Sequence, residues 1–595
     1  TLSNETWSQT INIVSNYDLS TGYYYYDWDT TSVADGPYNI SVLAICDEGS
    51  FKTKDVYDVS VWNGIVPILL VDDDYHYTFE QYFMKALSDL GYIINRDYAY
   101  WNTTWRGSPP SDFLDRVQIM IWECGYSIPN SDEMDAISSF LSDLGLLFIV
   151  GQDIGYYIGY MDWYGDWLRA IYERDDTDID NVTGVSGTIF EGVNYILYGS
   201  DSANNNYWPD EISPTNGSFL MMYYGNDPSI GAAIGYDGYY RLVYFAYPFE
   251  SINGSENRRD ALDRILQWFR KPIGAIRFPE NNSVTNNDTL YLTIHAKAIT
   301  GLDILRLYIN GSLAIFDDVS GYEIIKQYSV DISTYPDYCV LNLTLVTNGV
   351  SGEIDSFTIF IVRDKIPPNA QFTYPSNGSY FNTTEVTVQW SGSDNVAMDH
   401  YEIRIDGGIW MDVGLANNHT FSGLGEGIHL VDLRAIDVAG NEFVTSLTFI
   451  VDLTPPEFMG IFPENNSYVQ SKVLVSWNFT ENFEMDYYIV RLDDSTPIMT
   501  TSTHHVFEYL TEGVHHVYIR AYDKAGNSRM IVLEITVDTT NPYVEIVSPE
   551  GGSYINSSKV TIVWITDDNY GVDHSEIRID GGEWIDVGEA TNYTI

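Results

Sequence analysis

The chain has 595 residues, too many for one core, so several domains of ordinary size are expected. Its 29 basic residues against 84 acidic ones give a formal charge of −55, which excludes a nucleic-acid backbone binder, because contacting phosphates needs a basic footprint. Hydrophobic residues make up 45% and aromatics 15%, so the charge does not mean disorder, and three scattered cysteines (Cys46, Cys124, Cys339) supply neither a disulfide framework nor a thiolate zinc site.

No uncharged apolar run approaches ~18 residues, so no membrane span is expected. Residues 1–64 read as the back half of a β-sandwich: YYYYDWDTT, then GPYNISVLAICD, then VYDVSVW. From residue 65 to 272 the pattern changes. The apolar strand VPILLVDDD feeds an amphipathic helix, FEQYFMKALSDLGY. A second strand, VQIMIWECG at 117–125, precedes the helix SDEMDAISSFLSDLG. LLFIVGQ follows, then further helix, and VYFAYPFE leads to the helix RRDALDRILQWF. Strands alternating with helices predict a parallel sheet covered on both faces.

This layout resembles the flavodoxin-like fold of type-1 glutamine amidotransferase-like domains. Four strings carry the likeness: LLVDDD, the GQDIG turn at 151–155, NNNYWPDEI at 204–212 and VYFAYPFE. They look like the amidotransferase-like domains fused to secreted subtilisin-type peptidases and found in archaeal surface proteins. The resemblance implies a nucleophile, usually Cys, on the tight turn after the fourth strand. Here that turn reads Gly151-Gln152-Asp153-Ile154-Gly155, without Cys or Ser. Cys124 sits on the preceding strand end, and the domain's lone histidine, His76, precedes the turn instead of following it. A degenerate, non-catalytic domain is expected, with Asp153 as the remaining conceivable nucleophile.

Ligands of open α/β sheets lie beyond the carboxyl ends of the strands, where Asp72, Asp73, Asp74, Glu123 and Asp153 should gather. Crowded carboxylates suit a hard cation such as Ca²⁺ or Mg²⁺; the plain alternative is a solvated acidic rim. ERDDTDIDN at 173–181 places Asp176, Asp178 and Asp180 at alternate positions, a second candidate for calcium or simply an exposed acidic loop. It lacks the Gly and Glu of an EF-hand loop. No cofactor is required by these patterns, and Ca²⁺ is the ion they suit.

Repeats fill the rest. Trp390, Trp477 and Trp564 are spaced by 87 residues, as are Pro368, Pro455 and Pro542, and Arg404, Arg491 and Arg578. YPSNGSY at 374–380 returns as FPENNSY at 462–468 and SPEGGSY at 548–554. Short alternating runs separated by Gly, Asn and Asp turns predict antiparallel β-sandwiches, with the repeated Trp in each core. The Trp on one strand and Tyr401 on the next resemble fibronectin type III and related immunoglobulin-like modules. The expected organisation is a partial sandwich at 1–64, the α/β domain at 65–272 and a divergent sandwich at 273–365. Ig/fibronectin III-like repeats then occupy 366–453 and 454–538, with a partial one at 539–595. The half-modules at both ends point to a section of a longer protein. His504–His505 and His515–His516 are expected on adjacent strands, where they pack or hold a transition metal. The Asp-x-Ala-Gly-Asn turns at Asp437 and Asp523 read as Asx-capped turns.

Seventeen of 40 Asn open an N-x-Ser/Thr sequon: Asn4, Asn39, Asn102, Asn181, Asn216, Asn253, Asn281, Asn287, Asn310, Asn342, Asn377, Asn382, Asn418, Asn465, Asn478, Asn556 and Asn592. Random placement would give roughly a third as many, so export and glycosylation are expected. The resulting reading is a non-enzymatic segment of a large extracellular, surface-layer-like protein, archaeal by its scarcity of cysteine. Its expected partners are other surface proteins, copies of itself, or glycans. The alternative is the accessory C-terminal region of a secreted subtilisin-type peptidase.

Overall fold

The structure is a computed structural model. It describes residues 64–595 except 75, 76 and 216, and before them Trp62 and the strands at 2–3, 8–9, 17–18, 23–24, 36–45 and 51–61. Cys46, His76, Asn4 and Asn216, and the side chain of Asn39, lie outside what is described. The chain divides into two compact units, Thr1–Lys365 and Ile366–Ile595. Most of it is sheet. Among the described residues no helix is long and apolar enough to cross a membrane.

In the first unit, strands Gly36–Ile45 and Phe51–Val61 pair antiparallel, with two short strands alongside. The α/β region follows. Its sheet is built from β1 (Val66–Asp72), β2 (Ala99–Asn102), β3 (Val117–Glu123), β4 (Leu146–Val150), β5 (Asn181–Gly184), β6 (Asn194–Ile196), β7 (Ser218–Tyr224), β8 (Gly231–Asp237) and β9 (Arg241–Phe245). Across the sheet the order is β6-β5-β7-β8-β9-β4-β3-β1-β2. The five strands from β9 to β2 run parallel, and their near-continuous apolar text follows from burial on both faces. Helix α1 (Glu80–Asp89) and helix α3 (Ser255–Phe269) cover one face, where Phe83, Leu87, Leu262 and Ile265 join Phe148 and Phe245 in one core. Helix α2 (Ser131–Ser142) covers the other with Ile137, Phe140 and Leu141. Its start is fixed by a capping box, in which Asn130 Oδ1 accepts from the Glu133 amide and Glu133 Oε2 from the Asn130 amide.

The expected further helix after β4 is broken into two short pieces, Ile154–Ile158 and the π-helical Tyr164–Leu168, and the chain then turns into the antiparallel strands β5 to β8. The Tyr- and Gly-rich text of SFLMMYYG and GAAIGYDG has a period nearer two than 3.6, which accounts for the difference.

Residues 273–364 form a three-stranded sheet facing a five-stranded one around Leu292, Leu307, Leu343 and Ile361. In the second unit the same pair of sheets recurs at 369–451 and 457–537. Trp390 packs on Tyr401 with ring centroids 6.0 Å apart, and Trp477 on Tyr488 at 5.6 Å, each deep in its core. Asp406 and Gly407 both have positive φ, the conformation a two-residue primed turn requires. Residues 543–594 carry a three-stranded and a two-stranded sheet, with Trp564 buried. A cis peptide precedes Pro279, Pro375, Pro463 and Pro549.

Candidate functional site

Parallel strands deliver their carboxyl ends to one edge of a sheet, and this edge is acidic. Asp72 ends β1, Asp73 and Asp74 follow it, Glu123 ends β3, and all four are buried. Asn102, at the end of β2, donates from Nδ2 to Asp72 Oδ2 at 2.6 Å, and the Tyr100 hydroxyl donates to the same oxygen. Thr103 Oγ1 donates to Asp73 Oδ1 at 2.8 Å and Trp122 Nε1 to Asp73 Oδ2 at 3.2 Å. The Phe79 amide donates to Asp74 Oδ2 at 3.2 Å. Glu123 is 0% exposed with neither carboxylate oxygen hydrogen-bonded.

Burial sets the protonation of this edge. It pushes Asp73 up to about 8, with help from Glu133, and Asp74 to about 7, with help from Asp72. Glu123 is driven well above the ordinary range by burial and by Glu250. Near neutral pH such groups keep protons unless a cation replaces them. Oxygens of Asp72, Asp74 and Glu80 lie within 4.8 Å of one another, a grouping compatible with one hard cation.

The turn after β4 shows how three of the four strings meet. Gln152 Oε1 accepts from the Tyr207 and Trp208 amides at 3.1 and 3.2 Å. The Gly155 amide donates to Asp210 Oδ2 at 2.6 Å, and Asn205 Nδ2 donates to Glu250 Oε1. GQDIG, NNNYWPDEI and VYFAYPFE are thus one hydrogen-bonded network. Gln152 is spent as a loop clamp. Asp153 flanks the short helix Ile154–Ile158, raised to about 6 by burial and by Asp175. Cys124 is 0% exposed beside Gly151, its thiol pushed well up by burial and by Asp73, so it carries little thiolate.

Exposed aromatics border this edge. Trp208 lies 6.5 Å from Tyr126 between ring centroids, and Tyr126 lies 5.0 Å from Tyr77. Carboxylates beside aromatic faces can hold a cation or receive sugar hydroxyls over a stacked ring. A cavity of about 380 Å³ lies elsewhere in this unit, lined by Arg116, Leu144, Ile273, Lys297 and Glu323.

The other candidates are placed as follows. Asp176, Asp178 and Asp180 are exposed, and Asp176 Oδ1 accepts from the Asp178 amide at 3.3 Å, a local turn contact. Among the described sequons, ten Asn are exposed, Asn181, Asn253 and Asn342 are half-buried, and Asn102 is 8% exposed. The histidine pairs are not on adjacent strands. His504 and His505 pair with Ser476 and Val475 in the three-stranded sheet, while His515 and His516 lie in the five-stranded one. The chain crosses between sheets at residues 508–512, so the sequence neighbours face different layers. His515 instead bonds Asp493 at 2.7 Å, just as His429 bonds Asp406.

One set was missed in the sequence. Asp437 and Asp523 do cap their turns, accepting from the Asn441 and Asn527 amides at 2.8 Å. Asp523 also lies with Asp452 and Glu481, their oxygens within 4.8 Å of one another. The three come from separate loops, and only their recurrence in the repeat could have signalled them.

No family model and no curated protein matches this chain. Solved structures do. The fibronectin(III)-like modules of Clostridium thermocellum CbhA match at 15% identity over 30% of this chain and 94% of theirs, with a TM-score of 0.23. Titin domains I67–I69 match at 12% identity over 45% and 98%, with a TM-score of 0.26. A Ca²⁺-stabilised adhesin of an Antarctic bacterium matches at 13% identity over 55% and 89%, with a TM-score of 0.25. The β-sandwich arrangement of residues 273–364, 369–451 and 457–537 is shown by their own paired sheets.

Proposed function

We propose that this chain is a non-enzymatic segment of an exported, glycosylated, surface-layer-like protein whose sandwiches act as a spacer and whose α/β domain binds. The observation that carries the reading is repetition of the wiring between modules. Glu426 accepts from Thr454 Oγ1 at 2.9 Å and Asn482 Nδ2 at 2.6 Å. Glu512 accepts from Thr540 Oγ1 at 3.4 Å and Asn569 Nδ2 at 2.7 Å. A joint copied with its hydrogen bonds extends a rod by addition. Ten exposed sequons, all of them on the sandwiches of 366–595 or on 273–365 loops, support a sugar coat. The order of the parallel strands, with β1 between β2 and β3, supports a flavodoxin-like, amidotransferase-like origin for the α/β domain. Its buried Cys124 and loop-clamping Gln152 support loss of catalysis, and its acidic, aromatic-bordered edge suits Ca²⁺ or a glycan of another surface protein.

The test is made on intact cells of the source. A membrane-impermeant amine reagent should label the protein before lysis, and the segment's mass should exceed the bare 67.6 kDa. Labelling only after lysis, together with the bare mass, overturns the reading. Ester or peptide turnover that disappears on Asp153→Ala or Cys124→Ala overturns its non-enzymatic part.

A further inference from the structure

Three of the groups of acids in the described residues that could attract an ion lie within a single unit, and their surroundings separate them. Asp143, His295 and Glu323 are already answered by bases: Lys297 bonds Asp143, and Arg277 reaches it at 2.7 Å. In the α/β domain, Asp72 and Asp74 accept hydrogen bonds from Asn102, Tyr100 and the Phe79 amide. In the third group, in the second unit, one oxygen of each acid is left without a donor.

Asp452 directly follows strand Glu442–Val451 and opens the linker into the 454–538 sandwich. Glu481 follows strand Val473–Thr480, and Asp523 ends strand Gly513–Asp523. Asp452 is 0% and Asp523 1% exposed. Each uses one oxygen locally: Asp452 Oδ1 accepts from the Thr454 amide at 3.2 Å and Asp523 Oδ1 from the Asn527 amide at 2.8 Å. The second oxygens, Asp452 Oδ2, Asp523 Oδ2 and Glu481 Oε2, are buried and have no hydrogen-bond partner. Three bare carboxylate oxygens that converge in a buried space repel one another, and without a counter-charge the arrangement is costly.

We propose that Asp452, Glu481 and Asp523 form a Ca²⁺ site at the joint between consecutive sandwiches, tying the linker to two loops of the 454–538 sandwich. The spacing suits the ion. Oxygens at 2.3–2.6 Å from Ca²⁺ are separated by at most about 5 Å, and these lie within 4.8 Å of one another. An all-oxygen set without His or Cys selects a hard cation over a transition metal. Glu426, whose carboxylate also acts on Asp452, brings the preceding sandwich to the same joint. Two of the three acids recur at the next joint, where Asp538 and Asp568 match Asp452 and Glu481, Glu512 matches Glu426, and Asp568 Oδ2 is likewise buried and without a partner.

The experiment uses the whole 595-residue chain stripped with EDTA, the variant Glu481→Gln/Asp523→Asn, and the exposed Glu385→Gln as a control. Calcium bound at equilibrium is counted by dialysis, and melting is followed in EDTA, in millimolar CaCl₂ and in NaCl of matched ionic strength. The double variant should lose at least one tightly bound equivalent per chain, and Glu385→Gln should keep it. In EDTA the double variant should melt at or above the wild type, because two repelling charges are gone. In calcium it should melt below it. An unchanged calcium count overturns the proposal. So does an equal drop in melting temperature in EDTA and in calcium, which marks a purely structural role, or an equal loss of calcium in Glu385→Gln.

Discussion

The α/β region and the sandwich repeats both place carboxylates at strand ends, yet they handle the charge differently. In the parallel sheet every strand contributes its carboxyl end to one edge, so Asp72, Asp73, Asp74 and Glu123 collect there together. They are managed collectively, through side-chain donors such as Asn102 and Thr103 and through retained protons. In the antiparallel sandwiches, strand ends alternate between opposite edges, and several acids are paired one by one. Arg404 donates to Asp432 at 2.9 Å, and His429 and His515 hold Asp406 and Asp493. The direction of strand pairing, more than acid content, decides whether a region becomes a crowded site or a series of ion pairs. The exception is the joint, where loops from one end of a sandwich meet an incoming linker.

The largest expected effect tests the collective side. Burial pushes Asp210 to about 9, with Asp153 and Asp175 adding to it, and burial takes Glu250 to about 7. Both keep protons in the folded chain at pH values where the unfolded chain, with carboxylates near ~4, has lost them. Stability should therefore fall as pH rises from about 4 through 7 and on towards 9, at up to about 1.4 kcal/mol per pH unit for each group. Asp210→Asn should flatten that slope between pH 5 and 9 in denaturant titrations. An unchanged slope would mean that Asp210 is ionised in the fold.

Next comes the sandwich core, whose stability should depend little on charge. Trp477→Ala removes a side chain 3% exposed and should cost about 3–5 kcal/mol, equally at pH 5 and pH 8. A loss below about 1 kcal/mol would remove Trp477 from the core.

The smallest effect concerns the individual pairs. Burial alone would lower the His515 pKa, but the Asp493 carboxylate and the Thr511 carbonyl outweigh it and hold it above the ordinary value. Its contribution is complete below about 6.5, the unfolded value, and is lost as pH rises through the raised one. His515→Gln should cost less than about 1 kcal/mol at pH 5.5 and still less at pH 8.5. A larger loss at the higher pH would contradict the ion pair.

Much of this was legible in residue order. The 87-residue spacing of Trp390, Trp477 and Trp564 fixes the repeats, because a buried indole needs the same strand position each time. Asp72 to Asp74 and Glu123 could be placed together because parallel strands align their ends. Asp210 and Glu250 were quoted as parts of strings without a role, since loop closure, not strand register, brings them to the same edge. The triad at the joint was hidden for the same reason: Asp452, Glu481 and Asp523 sit in three loops, and Asp523 already had a sufficient local explanation as a turn cap. The histidine pairs misled because alternation along a strand does not reveal which sheet the strand joins.

Asn102 carries a consequence of a different kind. Its Nδ2, the atom a glycan would occupy, donates to Asp72, and its Oδ1 accepts from the Trp105 amide. A sugar attached there before the domain closes would leave no room for the side chain under β2 and would strip Asp72 of a donor. In a compartment that glycosylates sequons, this asparagine sets a race between the transferase and the closing sheet. Chains that fold first bear an unmodified Asn102, and chains modified first are held open at their acidic edge, so occupancy of this one sequon would report how fast the α/β domain forms.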